Sequence, residues 1–351
     1  MYLLALHLQS GVGPKTIRRI YETFGSFTEA FRRKDRLEKV VGPSRAAAVL
    51  SADPNRAEGE MRRAESLGVR VVSFLRDDYP ERLRAHENMP AVLYVKGDIG
   101  SLSSRTVAVV GTRYPSEDAR TVSFDLGKRL GRAGVTVVSG GAYGIDTQAH
   151  RGAMAGGGRT VVVLGSGMDR PYPRENVPLF REVVERGGAI LTEFPLGTPP
   201  NQGNFPARNR VISALSDVVV VVQAPERSGA LITASWALEQ GKDVWAVPFS
   251  PLDRRAYGSN RLIYDGARPL YDLSHFVEDV VGSPTPMEVR RRPEVDEMEA
   301  FILTLLKEPL HIDEITYKSG VPPHRLYAVL LSLQMKGYVR ELPGKIYEAV
   351  P

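Results

Sequence analysis

Three short glycine-rich runs carry the residue types from which an anion site is built. They are Gly111-Thr112-Arg113-Tyr114-Pro115-Ser116, Ser139-Gly140-Gly141-Ala142-Tyr143-Gly144-Ile145-Asp146 and Ser228-Gly229-Ala230-Leu231-Ile232-Thr233. Glycine lets backbone amides approach a ligand, a helix N-terminus gives those amides partial positive charge, and Ser or Thr hydroxyls add donors. The chemistry on offer is therefore phosphate binding. A fourth run, Asn204-Phe205-Pro206-Ala207-Arg208-Asn209-Arg210, adds an aromatic ring and two guanidiniums. Stacking combined with phosphate neutralisation is a general scheme for holding single-stranded nucleic acid. Each run also has a structural reading: tight packing turns for the glycines, a core position for Phe205, and ion pairs of Arg208 or Arg210 with Asp217 or Glu193. Their co-occurrence favours a ligand.

Such loops need a scaffold that brings them to one edge. From Arg105 to about Leu270, apolar runs at Thr106 to Val110, Val135 to Ser139, Thr160 to Leu164, Ala189 to Thr192, Asp217 to Val222 and Asp243 to Val247 alternate with helical stretches. Near-continuous valine runs are the mark of strands buried on both faces, so the pattern predicts an α/β fold with a doubly wound, Rossmann-like parallel sheet. In such sheets the loops after the strand C-termini bind ligands, and the three glycine runs follow the first, second and fifth strands. Val69 to Leu75 and Val92 to Val95 are candidate earlier strands.

The flanks differ. Residues 1 to 75 read as a helical domain, in which Leu6, Gly11-Val12-Gly13-Pro14, Thr16 and Ile20 fit a helix-hairpin-helix, or equally a packed turn that touches no DNA. Residues 76 to 282 form the sheet domain. A Pro-, Ser- and Arg-rich joint from Gly282 to Pro293 precedes a winged helix over 294 to 351, with its turn at Ser319-Gly320-Val321-Pro322 and its wing around Pro343-Gly344.

The 351 residues include no cysteine, which excludes disulfides, thiolate nucleophiles and Cys-based metal sites. No run approaches the roughly 18 apolar residues of a membrane span, and a soluble cytoplasmic protein is expected. Of 46 basic residues 36 are Arg, and the net charge is +5. That bias suits bidentate phosphate contacts, and it equally suits a GC-rich genome or a heat-adapted host. Residues 1 to 80 carry +4 and residues 284 to 351 carry −1.

Asp78-Tyr79-Pro80, Val109-Val110-Gly111-Thr112-Arg113, the Ser139 to Asp146 run, Pro173-x-x-Asn176, Phe205-Pro206-x-Arg208-Asn209-Arg210, Ser228-Gly229-x-Leu231-x-Thr233-Ala234 and Gly258-Ser259-Asn260 occur in order over more than half the chain. In this the sequence resembles the DNA-processing protein A (DprA, or Smf) family of bacteria, whose members also carry such flanking segments. The resemblance implies a homodimer that binds and protects single-stranded DNA and loads the RecA recombinase during natural transformation. By the same resemblance Arg113 contacts phosphate, with Ser116 and the Ser139 to Gly141 loop beside it, and Phe205 contacts a base. The sequence departs where many relatives place a lysine shortly before Phe-Pro, since Asn201-Gln202-Gly203-Asn204 stands there; Lys242 and Arg261 are the candidates to replace that charge. The expected DNA site thus comprises Gly111, Thr112, Arg113, Ser116, Ser139, Gly140, Gly141, Phe205, Arg208, Asn209, Arg210, Ser228, Gly229, Thr233 and Lys242.

Two other classes compete. No P-loop is present, Gly165-Ser166-Gly167-Met168-Asp169-Arg170 lacks the third glycine of a dinucleotide fingerprint, and no cofactor is expected. A nucleotide-hydrolysing enzyme of the lysine-decarboxylase-like phosphoribohydrolase fold would want an acid two or three residues after Thr233. Ser235 and Trp236 stand there, Glu239 comes a turn late, and His150 reads as a packing residue rather than a general base. A transcription factor reading duplex DNA through the winged helix is opposed by that segment's charge.

Overall fold

The computed structural model describes residues 1–282, 295–306, 308–336, 338–342 and 344–349. Two compact units result, Met1–Ser283 and Pro284–Pro351. The expected joint from Ser283 to Pro293 lies outside the described residues.

The first unit opens with six helices: α1 (Tyr2–His7), α2 (Pro14–Phe24), α3 (Phe27–Arg32), α4 (Lys34–Val41), α5 (Pro43–Leu50) and α6 (Pro54–Ser66). Proline begins α2, α5 and α6, where its missing N–H is one that a helix start leaves unpaired anyway. Val12, in the Gly11-Val12-Gly13 turn between α1 and α2, is buried in the core.

Then follow β1 (Arg70–Ser73), α7 (Glu81–Arg84), β2 (Val92–Gly97), β3 (Thr106–Val110), α8 (Glu117–Arg132), β4 (Thr136–Ser139), α9 (Ile145–Ala155), β5 (Thr160–Val163), α10 (Val177–Glu185) and β6 (Ala189–Thr192). The unit closes with α11 (Asn204–Leu215), β7 (Val218–Val221), α12 (Gly229–Glu239), β8 (Asp243–Ala246), α13 (Tyr257–Tyr264), β9 (Arg268–Pro269) and α14 (Leu273–Gly282). One sheet runs in the order β1-β2-β6-β5-β4-β3-β7-β8-β9. It is parallel from β6 to β9, while β2 is antiparallel to both β1 and β6.

Alternate residues along each strand serve opposite faces. Val107, Val109, Val137, Val218 and Val220 pack with α8, α9 and α14. Ala108, Val110, Val138, Val219 and Val221 join the core that α10, α11 and α12 cover, and Leu6, Ile17 and Ile20 of the first helices belong to that same core. From β3 the chain winds through β4 and β5 to β6. It then returns through α11 to β7, on the other flank of β3, and winds the opposite way. The switch point between β3 and β7 opens a crevice at the carboxyl ends of these strands.

The second unit is a winged helix. It contains α15 (Glu297–Leu305), β10 (Leu310–His311), α16 (Ile312–Ser319), α17 (Pro323–Met335), β11 (Val339–Leu342) and β12 (Ile346–Ala349), with strand order β10-β12-β11. Ile302, Ile315, Leu326, Leu330 and Leu333 form its core. Asp296 and Glu299 form a capping box, and the Glu299 carboxylate also accepts from Lys336 Nζ at 2.6 Å.

At the opposite edge of the large sheet, Asp217 ties three segments together. Arg82 Nη2 and Nε donate to its two carboxylate oxygens at 3.0 and 3.2 Å, and the Thr106 amide donates at 2.8 Å. The Asp217 side chain is 2% exposed and that of Arg82 11%. Removing one partner of a buried pair strands the other charge, so Asp217→Ala should lower unfolding free energy by about 3–5 kcal/mol in urea titration.

Candidate functional site

The switch-point crevice is a groove of about 530 Å³. Nine of the expected residues line it: Gly111, Thr112, Arg113, Phe205, Arg208, Asn209, Ser228, Gly229 and Thr233. Helical phase explains the share given by α11. Phe205, Arg208, Asn209 and Ile212 recur at the three- and four-residue spacing that defines one helix face.

Arg113 is exposed at the mouth and makes no ion pair among the described residues. Its guanidinium lies over the Phe205 ring, 5.1 Å from the centroid. Phe205 in turn backs onto Gly165, where a Cβ would come within 2.8 Å of the ring. The glycine of the incomplete dinucleotide fingerprint is therefore needed to seat an aromatic side chain.

Arg208 has a different task from the one expected. Only 6% exposed, it lies under the groove floor and donates through Nη1 to the Gly140 carbonyl at 2.7 Å and to the Val163 carbonyl. Its Nε reaches Asn209 Oδ1 at 3.1 Å, and Asn209 Nδ2 donates to the Gly229 carbonyl at 2.9 Å. Burial lowers the guanidinium to about 10, against the favourable field of Asp146, so it stays charged at neutral pH. Burial pushes the Asp146 carboxyl up, while Arg208 and the Ala142 and Gly140 amides pull it down. Gly140 has no room for a side chain, since a Cβ would lie 2.5 Å from the Arg208 guanidinium.

Five further expected residues serve the frame of the groove. Ser116 caps α8, accepting from the Ala119 amide at 3.2 Å, and its own amide donates to Gln223 Oε1 at 2.8 Å. Ser139 Oγ is buried and donates to the Val109 carbonyl. The Gly140 amide donates to Asp146 at 3.1 Å rather than facing the groove, and Gly141 packs against Phe180 and Val162. Arg210, two residues on from Arg208 and so on another helix face, is ion-paired with Glu193. Lys242 is corrected outright: it precedes β8 at the opposite sheet edge, where Nζ donates to the carbonyls of Ser213, Ala214 and Ser216 at the end of α11. Burial lowers it to about 7. Arg261 is paired with Asp265.

Several framing residues carry no signal on their own. Gln223 links Ser116 to Asp253 by donating to both side chains at 3.1 Å. Asn176 Nδ2 donates to the Gly141 carbonyl at 2.9 Å and to Thr147 Oγ1 at 2.8 Å. Asp146 and Asn176 lie in the motifs that carry the family resemblance, which is their trace in the sequence.

The family model described as DNA recombination-mediator protein A matches residues 70–281, and that of the DprA winged helix domain matches residues 286–345. The chain belongs to the DNA processing protein A family. Protein Smf of Synechocystis is 32% identical over an alignment covering 99% of this chain and 98% of that one. DNA processing protein A of Bacillus subtilis is 40% identical over 61% of this chain and 72% of its own. The crystal structure of DNA processing protein A from Streptococcus pneumoniae superposes with a TM-score of 0.70 at 30% identity, covering 79% of this chain and 97% of that one. The family member from Helicobacter pylori, whose structure is described as giving insight into its unique single-stranded DNA binding mode, superposes at 0.56 with 29% identity over 61% of this chain and 96% of that one.

Among the described residues that line the groove, no acid stands beside a histidine or lysine. The groove's one acidic lining residue, Asp146, is held by two backbone amides, and Glu239 sits at the far end of α12. On the winged helix, α17 exposes Tyr327, Leu331 and Met335 at four-residue spacing, with His324 and Arg325 exposed at its N-terminus. No cluster of three or more His, Cys, Asp or Glu among the described residues could hold a metal ion.

His150 is fully buried, with Nδ1 2.7 Å from Thr160 Oγ1, whose hydroxyl donates to the Val137 carbonyl. Burial lowers its pKa to about 3. The unfolded chain takes up a proton below its ordinary value near 6.5 and the fold does not, so this contribution to stability is full above that value and is lost as pH falls toward 3. Between pH 7.5 and 5.5 the wild type should lose about 1–1.5 kcal/mol more unfolding free energy than His150→Gln, measured by denaturant titration.

Proposed function

We propose that the groove binds single-stranded DNA, with Arg113 taking a phosphate and Phe205 a base. The observation that carries this reading is the unpaired, exposed Arg113 guanidinium resting on Phe205 at a topological switch point. On binding, the guanidinium lifts from the ring to a phosphate, and a base takes its place on the aromatic face. The first amides of α12, at Gly229, add donors on the facing wall. Gly111, Thr112, Ser228 and Thr233 complete the contact surface, while Arg208 and Asn209 hold its shape. The single-stranded DNA binding described for the Helicobacter pylori family member supports the choice of ligand.

We further propose that the chain acts as the family resemblance implies: as a cytoplasmic homodimer that protects incoming strands and loads RecA in natural transformation, without catalysis of its own. At micromolar concentration, light scattering of the full chain should return twice the chain mass; a monomer would count against the dimer.

Charge and stacking separate by mutation. Arg113→Ala should weaken binding to all sequences and flatten the slope of log K against log salt by about 0.7, the share of one phosphate on a single strand. Phe205→Ala should cost about 1–3 kcal/mol with the slope nearly unchanged. Fluorescence anisotropy with oligo(dT) at several salt concentrations reads both; two folded variants that bind like wild type would place the site elsewhere.

A further inference from the structure

The aromatic surface does not end at Phe205. Tyr114, Tyr143 and Tyr172 stand on the loops that follow β3, β4 and β5, all at the groove edge of the sheet. Tyr172 packs against Phe205 with ring centroids 5.7 Å apart. The Tyr143 hydroxyl donates to the Glu175 carboxylate, which anchors the ring. Tyr114 lines the groove next to Arg113 and is 80% exposed, so its ring contributes almost nothing to core packing. Strands β5, β4 and β3 are neighbours in the sheet, so the loops bearing Tyr172, Tyr143 and Tyr114 follow one another along its carboxyl edge, an arc of tyrosines that begins beside Phe205.

Cations accompany the arc. Arg170 and Arg174 bracket Tyr172 in sequence, and Arg227 lines the groove opposite. All three are exposed and make no ion pair among the described residues. Many other arginines of this chain are neutralised, including Arg82, Arg186, Arg210, Arg261 and Arg268. Free guanidiniums interleaved with rings are the arrangement that tracks a flexible polyanion whose bases are available to stack.

We propose that the tyrosine arc is a second stacking platform, over which a strand already held at Arg113 and Phe205 continues, its bases on Tyr114 and its neighbours and its phosphates against Arg170 and Arg174. This rests on the single-strand reading of the groove and extends it by naming where the strand goes. The occupant is unpaired because duplex bases are already stacked on one another and cannot lie on a protein ring. The arc therefore discriminates single strands from duplexes as well as adding affinity.

The test uses the full chain and fluorescence anisotropy with oligo(dT) of increasing length, alongside a duplex of matched length. Tyr143→Ala should leave the shortest bound oligonucleotides unaffected and weaken longer ones by roughly 5- to 150-fold, and Tyr114→Ala should weaken every length but the longer ones more, each with an unchanged salt slope and no effect on duplex. Tyr114→Phe should restore wild-type binding, because the ring and not the hydroxyl stacks. Arg170→Ala with Arg174→Ala should flatten the salt slope on long oligonucleotides only. Photo-cross-linking with 5-bromodeoxyuridine oligonucleotides should map to Tyr114 or Tyr143 as well as to Phe205. If Tyr114→Ala and Tyr143→Ala bind every length like wild type while Arg113→Ala and Phe205→Ala are impaired, the arc is overturned and the groove stands. If Tyr114→Ala weakens duplex as much as single strands, stacking is overturned. Should Arg113→Ala and Phe205→Ala also bind normally, the groove itself is misplaced and the arc falls with it.

Discussion

One buried guanidinium sets the shape of the groove. Arg208 lies where the carboxyl ends of β4 and β5 point unpaired carbonyls into a crevice, and it satisfies those of Gly140 and Val163. Through Asn209 it also fixes the Gly229 carbonyl at the start of α12. An arginine is the side chain suited to this, because its fork of donors is rigid and it is more weakly hydrated than an ammonium. The buried charge is tolerated because Asp146 lies in the same network, itself held by amides of the Gly140 loop. Two of the glycine loops are thus joined by a single buried cation, and the exposed Arg113 stands above a rigid floor.

The arginine-rich composition resolves into two populations with different physics. Arg82, Arg208 and Arg210 are desolvated and spent on carbonyls or carboxylates, so they stabilise architecture. Arg113, Arg170, Arg174 and Arg227 are exposed to water and make no ion pair among the described residues. Lys242 belongs with the first group. It serves the last carbonyls of α11, and so positions from behind the helix that carries Phe205.

The sheet was legible because strands buried on both faces write themselves as valine runs, and the edges of β3 and β6 fall where those runs do. The winged helix was legible for a similar reason, its turn and wing being spelled in Gly and Pro. The two-residue β9 and the antiparallel direction of β2 were not, since strand direction depends on which neighbour is met. Within the site, Arg113 and Phe205 were readable by type. Arg208 and Arg210 were not separable, because their difference is a matter of helical phase, and the phase requires knowing that α11 starts at Asn204. The Gly140 loop looked like an anion cradle because its amides and its glycines are visible in sequence while their internal acceptor is not.

The antiparallel β2 has a consequence for how the chain is made. Tyr94 pairs with Thr192, so one side of β2 has no strand partner until β6 has left the ribosome. The first six helices share a core with Leu191 of that strand and cannot complete it earlier. A long stretch of nascent chain therefore carries an open strand edge and uncovered apolar faces through much of synthesis, a state that favours association with other chains. The part of the molecule translated first is the part whose folding finishes late.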